Sequence, residues 1–288
     1  MAIFTPSMTE QFTTENTPVK DKAGEEYWTK FWQNFPLPEP IVVNGHSVNN
    51  YPYRILHKLF QKAFKGMNTG GMKILEIGCG NSVFLSYFQK EFGFDVYGLD
   101  YSELGCRQTE KIFERDHITG KVFLADAFSP PSDLLNAFDV VCSFGVVEHF
   151  TDTAGTLESF SKFVKPGGLL ITSVPNFKGA TGTLHKLLNK PVYDIHVPLD
   201  KEDLVKASDK ANLKVEVAEY FLAVSFAITL EGHEGRKVPY ATLKKVFVKS
   251  IRYASKILWI FEDIFGTIPP GKRLSGGVFL SCRKKDGQ

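Results

Sequence analysis

Apolar residues in this chain fall in short runs bounded by glycine or acidic positions, and between those runs they recur at helical spacing. Lys73 to Ile77 reads as a buried strand that stops at the turn Gly78-Cys79-Gly80. The next segment, Val83 to Phe92, places Val83, Leu85, Phe88 and Phe92 as a helix would. Phe94 to Asp100, Lys121 to Asp126, Phe138 to Phe144 and Gly168 to Val174 repeat the strand pattern, the last after the turn Lys165-Pro166-Gly167-Gly168. Helix-sized segments separate these runs, and such βαβα alternation implies a parallel sheet. Leu213 to Tyr220 and Gly277 to Arg283 read as two last strands. Tyr53 to Lys65 and Leu199 to Ala211 read as helices, the second with Asp200 as N-cap and acids in its first turn.

Two helical segments lie outside this alternation. Near the start, Tyr27, Trp28, Phe31 and Trp32 share one broad face of a short helix that Pro36, Pro38 and Pro40 bring to an end. Between the last two strands, Phe221 to Gly276 is far longer than an ordinary loop. Within it Leu243, Val246, Phe247, Ser250, Ile251, Ala254, Ile257, Leu258, Phe261 and Ile264 repeat at helical spacing, against Lys244, Lys245, Lys249, Arg252 and Lys256. A basic amphipathic helix of this kind can lie on an anionic membrane. The expectation preferred is a lid that buries its apolar stripe against the fold, as helices of globular proteins usually do.

The chemistry sits at the strand ends. A Gly-x-Gly turn between strand and helix lets a ligand lie against bare backbone at the helix N-terminus. Glu76 inside the strand end repels a pyrophosphate but suits a cationic ligand. A nicotinamide-dependent dehydrogenase fits poorly, because its third glycine position is Val83 here. Asp100, at the tip of the second strand, is placed to accept the two hydroxyls of a ribose. Asp126 ends the third strand, and the fourth leads into Gly145-Val146-Val147-Glu148-His149-Phe150.

In the order of these motifs, from residue 73 to 176, the chain resembles the class I S-adenosylmethionine-dependent methyltransferases. That resemblance implies an α/β fold: a Rossmann-like seven-stranded, mostly parallel sheet with an antiparallel last strand pair and helical cap or lid insertions. It also implies S-adenosylmethionine as cofactor. Glu76, Gly78, Cys79, Gly80 and Asn81 would border its methionine part. Asp100 would take the ribose, with Tyr101 and Ser102 flanking the adenine. Asp126 and Ala127, followed by Phe128, would meet the adenine amino group, and Phe144 and Glu148 would line the cofactor near the substrate mouth. Ser82 stands where the family often has a third glycine. The N-terminal helix often closes over the cofactor in such enzymes, which makes Tyr27 and Phe31 expected acceptor contacts. The stretch Val174-Pro175-Asn176-Phe177 and the later Ile195-His196 resemble bacterial methyltransferases of small molecules and of surface polysaccharide sugars, which adds Asn176 and His196.

Methyl transfer to a hydroxyl needs a base near neutrality. His149 stands at the right end of the sheet for that role, with His196 as the weaker alternative and His185 and His233 behind it. No metal-ligand spacing is evident, so no metal is expected. The expected reaction is transfer to a small-molecule acceptor, most readily at oxygen. N-methylation, a lipid-linked or polysaccharide acceptor, and a non-catalytic cofactor-binding sensor or assembly protein are the other readings.

Composition sets the remaining bounds. The chain has 288 residues, 43% of them hydrophobic, including 25 Phe, and a net charge of +2. That is ample core without a nucleic-acid footprint. Cys79, Cys106, Cys142 and Cys282 lack disulfide or metal spacing, and no signal-peptide core or membrane span is visible, so a cytoplasmic protein is expected. The expected organisation is a flexible stretch 1–23, a helical cap 24–66, a cofactor-binding core 67–176, a cap segment and return to the sheet 177–220, a helical lid 221–276, and a last strand and tail 277–288. Oligomeric state is left open.

Overall fold

The structure, a computed structural model, describes residues 21–33, 36–45, 47–228, 230 and 241–285. His233 and the expected flexible stretch as far as residue 20 lie outside them. The chain enters through helices α1 (Glu25–Gln33) and α2 (Tyr51–Ala63). It then alternates β1 (Lys73–Ile77), α3 (Phe84–Phe92), β2 (Asp95–Asp100), α4 (Glu103–Asp116), β3 (Gly120–Leu124), β4 (Phe138–Phe144), α5 (Thr153–Ser161) and β5 (Val164–Pro175). Helices α6 (Ala180–Leu188), α7 (Lys190–Asp194) and α8 (Lys201–Lys210) precede β6 (Leu213–Phe221), and α9 (Ala241–Phe265) lies between β6 and β7 (Gly277–Lys284).

The strands form one seven-stranded sheet in the order β3-β2-β1-β4-β5-β7-β6. β1 pairs in parallel with β2 and β4, whereas β7 runs antiparallel to both β5 and β6. The order reverses between β1 and β4, and in open α/β sheets ligands bind outside the carboxyl ends of strands at such a switch point. The Rossmann-like architecture is therefore as expected. The third strand is shorter than its apolar run: β3 stops at Leu124, which leaves Asp126 exposed in the following loop.

Helices cover both faces. On one, Phe60 of α2 is fully buried and meets Phe64, Tyr87, Phe88, Phe144 and Phe279 with ring centroids 4.9–6.2 Å apart. On the other, Leu157 and Phe160 of α5 and Leu204 of α8 pack in one cluster with Leu75, Val141 and Leu170. Helix α8 carries the expected cap in reciprocal form: Asp200 accepts from the Asp203 N–H, and Asp203 from the Asp200 N–H.

Helix α9 departs from expectation. Its apolar stripe faces outward, with Leu243, Ile257 and Ile264 65–68% exposed and Phe265 72% exposed. The buried positions are Val248, Ser255 and Glu262. The helix is fastened by polar contacts along that side. Ser255 Oγ accepts from the Phe226 N–H, Trp259 donates to the Val224 carbonyl, and Asp263 pairs with Arg54 at 2.8 Å. The sequence period shows which residues share a face. Which face turns inward is set by these distant partners.

Candidate functional site

A cavity of about 210 Å³ opens at the β1/β4 switch point. It is lined by Gly78 and Gly80 after β1, Asp100 and Tyr101 after β2, Phe144 to Val146 with His149 and Phe150 after β4, and Asp21, Trp28 and Trp32 from the N-terminal side.

The glycine turn is built for close approach. Gly78 has φ +74°, a conformation that L side chains rarely adopt. A Cβ there would come within 2.6 Å of Val146, and one on Gly80 within 2.6 Å of the Trp32 ring. Asn81 follows with φ 58°, in the left-handed region that Asn tolerates better than most residues. Asp100 ties the turn to β2: its two oxygens accept from the Gly80 N–H at 2.9 Å and the Ser102 N–H at 2.8 Å. Each oxygen keeps a further lone pair for a ligand. Burial pushes the Asp100 carboxyl up to about 6 despite these donors. Glu76, one residue before the end of β1, is 1% exposed, and one of its oxygens has no partner. Burial, reinforced by Asp100, raises its carboxyl to about 8.

Across the cavity, a 3-10 turn at Val147–His149 buries Glu148 and sets His149 in the cavity wall. Glu148 is buried, has one unpartnered oxygen, and is likewise raised to about 8 by burial. His149 Nδ1 meets the Ile195 carbonyl at 2.9 Å, and His196 Nδ1 meets the Val192 carbonyl at 2.5 Å. A carbonyl can only accept, so both Nδ1 atoms carry the proton and both Nε2 atoms keep a lone pair. Burial lowers both histidines, His196 to about 3, where neighbouring His149 adds to the effect. The two rings lie 4.5 Å apart, and Trp28 stands edge-on to His149 at 4.9 Å.

The fold thus collects groups that lie apart in the sequence. One ligand atom from each of Glu148, His149 and His196 falls within a 4.8 Å spread, a grouping able to hold a metal ion. No sequence spacing announces it: α7 and the turn after it carry His196 back to His149, 47 positions earlier and just beyond the end of β4.

Several expected residues stand elsewhere. Tyr27 and Phe31 stack on each other at 6.1 Å, whereas their helix neighbours Trp28 and Trp32 line the cavity. Asn176 is fully buried and donates to the Lys272 and Ser275 carbonyls, fixing the entry to β7. Asp126 accepts from the Phe128 N–H, Ala127 is buried in the core, and Phe128 packs on Phe150 at 4.8 Å. Cys79 is buried and accepts from the Thr109 hydroxyl, and Ser102 caps α4. His185 is buried beside Phe177. Asp21 and Lys22, inside the stretch expected to be flexible, are held in place. Asp21 bridges to Phe150 and accepts from the Tyr101 hydroxyl at 2.9 Å, and Lys22 donates to the His149 and His196 carbonyls. Neither residue has a sequence signal. Trp28 and Trp32 had one, since they belong to the aromatic face of α1.

Comparison with known proteins agrees with this arrangement. Residues 45–218, well over half the chain, match the family model described as a methyltransferase domain. The chain belongs to that family. Among curated relatives it is 27% identical over 162 residues to the ubiquinone biosynthesis O-methyltransferase of Bradyrhizobium sp. (strain ORS 278), covering 54% of this chain and 59% of the relative. A protein of the same description from Sinorhizobium fredii is 31% identical over 108 residues, 37% of this chain and 42% of the relative. The chain therefore spans about half the length of the curated relatives it matches. Two solved structures share the methyltransferase fold at low identity. A protein described as a putative sarcosine dimethylglycine methyltransferase, from Galdieria sulphuraria, superposes with TM-score 0.58 at 14% identity, over 91% of this chain and 98% of that one. The geranyl diphosphate C-methyltransferase of Streptomyces coelicolor A3(2) gives 0.54 at 13% identity, over 93% and 100%.

Proposed function

We propose that the protein transfers a methyl group from S-adenosylmethionine to a hydroxyl of a small-molecule acceptor. The observation that carries this reading is one cavity lined by Gly78, Gly80 and Asp100 on one side and by His149, protonated at Nδ1, on the other, with Glu76 and its unpartnered oxygen buried in β1 just before the glycine turn.

The residues present fit that cofactor. Glu76 has a buried oxygen in want of a donor, and the glycine turn has no room for a side chain where a ligand would lie. When bound, S-adenosylmethionine supplies a methyl carbon open to in-line displacement. Glu76 would face the ammonium of the methionine part, and Asp100 would accept the ribose hydroxyls with its remaining lone pairs. Tyr101 would border the adenine side, while Trp28, Trp32 and Phe144 would exclude water. On the acceptor side His149 Nε2 takes the hydroxyl proton, and the Ile195 carbonyl holds the ring in the tautomer this requires. The relatives named O-methyltransferases support oxygen as the acceptor atom.

Titration calorimetry with S-adenosylmethionine and S-adenosylhomocysteine, followed by transfer of a labelled methyl group to panels of phenols, alcohols and amines, tests the proposal. Binding with turnover of a hydroxyl compound supports it. Turnover of amines alone would move the reaction to nitrogen, and binding without turnover on any panel would leave a cofactor-binding protein instead.

A further inference from the structure

Helix α9 is mounted the wrong way round for a helix that serves only the interior. On a 25-residue helix, roughly 37 Å long at 1.5 Å per residue, Leu243, Val246, Phe247, Tyr253, Ile257, Ile260, Phe261, Ile264 and Phe265 are all exposed and share one face. Single exposed apolar residues are ordinary, but a stripe running the length of a helix marks an interaction surface. The orientation is fixed, because the side opposite the stripe is fastened through Ser255, Trp259 and the Arg54–Asp263 pair.

Charge along the helix selects the occupant. Lys245, Lys249, Arg252 and Lys256 run along one edge between the stripe and the body of the protein, and the first three are exposed. The two acids of the helix are engaged inward: Glu262 is buried and accepts from the Ile268 N–H, and Asp263 pairs with Arg54. The helix therefore presents an apolar face with a cationic border and no exposed unpaired carboxylate among its described side chains. A second copy packed stripe to stripe would find no acids on this helix to meet its lysines. An anionic lipid surface offers acyl chains to the stripe and phosphates to the border. No helix of the described residues is long and apolar enough to cross a membrane, so the mode is lying on the surface.

We propose that α9 docks the protein onto an anionic bilayer, with its apolar stripe in the boundary between headgroups and acyl chains and its basic edge among the phosphates. The inference is independent of the reaction assigned to the cavity, which α9 does not line.

Sedimentation of the full chain with phosphatidylcholine vesicles, with and without about a third phosphatidylglycerol, tests it. Strong binding to the anionic vesicles is expected at low salt, with much weaker binding to the neutral ones and release as salt rises. The exposed double substitution Ile257→Glu with Phe261→Glu should abolish binding at unchanged melting temperature. Lys245→Gln with Lys249→Gln should weaken it on the order of tenfold. No binding to anionic vesicles at low salt, or unchanged binding by both variants, would overturn the proposal. So would a dimer in light scattering that Ile257→Glu with Phe261→Glu converts to a monomer, which would assign the stripe to a second copy of the chain.

Discussion

Asp100 gives one oxygen to the Gly80 N–H and one to the Ser102 N–H, so it holds the glycine turn and the start of α4 in register before any ligand arrives. Asp100→Ala removes these charge-assisted bonds, each worth ~1.5–3 kcal/mol. The variant should lose at least tenfold in S-adenosylmethionine affinity and melt at lower temperature, measured by calorimetry and thermal unfolding. A retained dissociation constant would remove Asp100 from the cofactor site. His149 makes a separate prediction. Burial places its proton affinity below the ordinary histidine range, so the base is ready at neutral pH. The rate should fall only as pH drops below ~6.5, the unperturbed value. His149→Ala should keep cofactor affinity, lose ~10²–10⁴-fold in turnover, and lack that acidic limb. An acidic limb persisting in the variant would point to His196 or to positioning alone. Asp100 and His149 were legible in the sequence because a strand-tip position is a local property. The clustering of Glu148, His149 and His196 was not, because it depends on where α7 returns.

At the scale of elements, α1 and α2 show how aromatic stripes divide between core and site. Phe60 of α2 joins a cluster that includes Phe88, Phe144 and Phe279, so it locks the helix to the sheet from which Phe144 reaches the cavity. Phe60→Ala should cost ~3–5 kcal/mol of stability in chemical denaturation. A loss under ~1 kcal/mol would mean that the site collapses around the gap. Helix α1 buries none of its residues fully, yet Trp28 and Trp32 stack on each other at 5.9 Å beside the glycine turn. Trp32→Ala should therefore change cofactor affinity far more than melting temperature. The reverse pattern would make α1 a structural cap. The four aromatics of α1 were visible as one face in the sequence, but rotation about the helix axis decides which pair faces the cavity. The same holds for α9, where periodicity gave the stripe and only the contacts from Arg54, Val224 and Phe226 gave its direction.

The whole molecule carries opposed titrations that bear on both folding and binding. Glu76 and Glu148, raised to about 8, bind protons more tightly when folded, so their stabilisation is complete below the unfolded carboxyl value and is lost as pH rises towards 8. His149 and His196 are lowered, so the unfolded chain binds protons that the folded one refuses, and stability is lost as pH falls below the unfolded histidine value. Between about pH 6.5 and 8 the carboxyl effect dominates, and the ligand-free protein should melt at progressively lower temperature. A cationic ligand reverses this trend. An ammonium beside Glu76 requires the ionised carboxylate, so binding near neutrality should expel a proton, and affinity should tighten by up to about tenfold per pH unit below the folded value. Stabilisation by S-adenosylmethionine, which grows as RT ln(1 + [L]/Kd), should increase over the interval in which the free protein weakens. Calorimetry in two buffers of different ionisation heat counts the released proton directly. Glu76→Gln keeps the shape and removes the titration, so it should bind weakly at every pH with no proton release. A wild-type affinity flat from pH 6.5 to 7.5, with no proton expelled, would dissociate Glu76 from the ligand and leave its unpartnered oxygen without a role in binding.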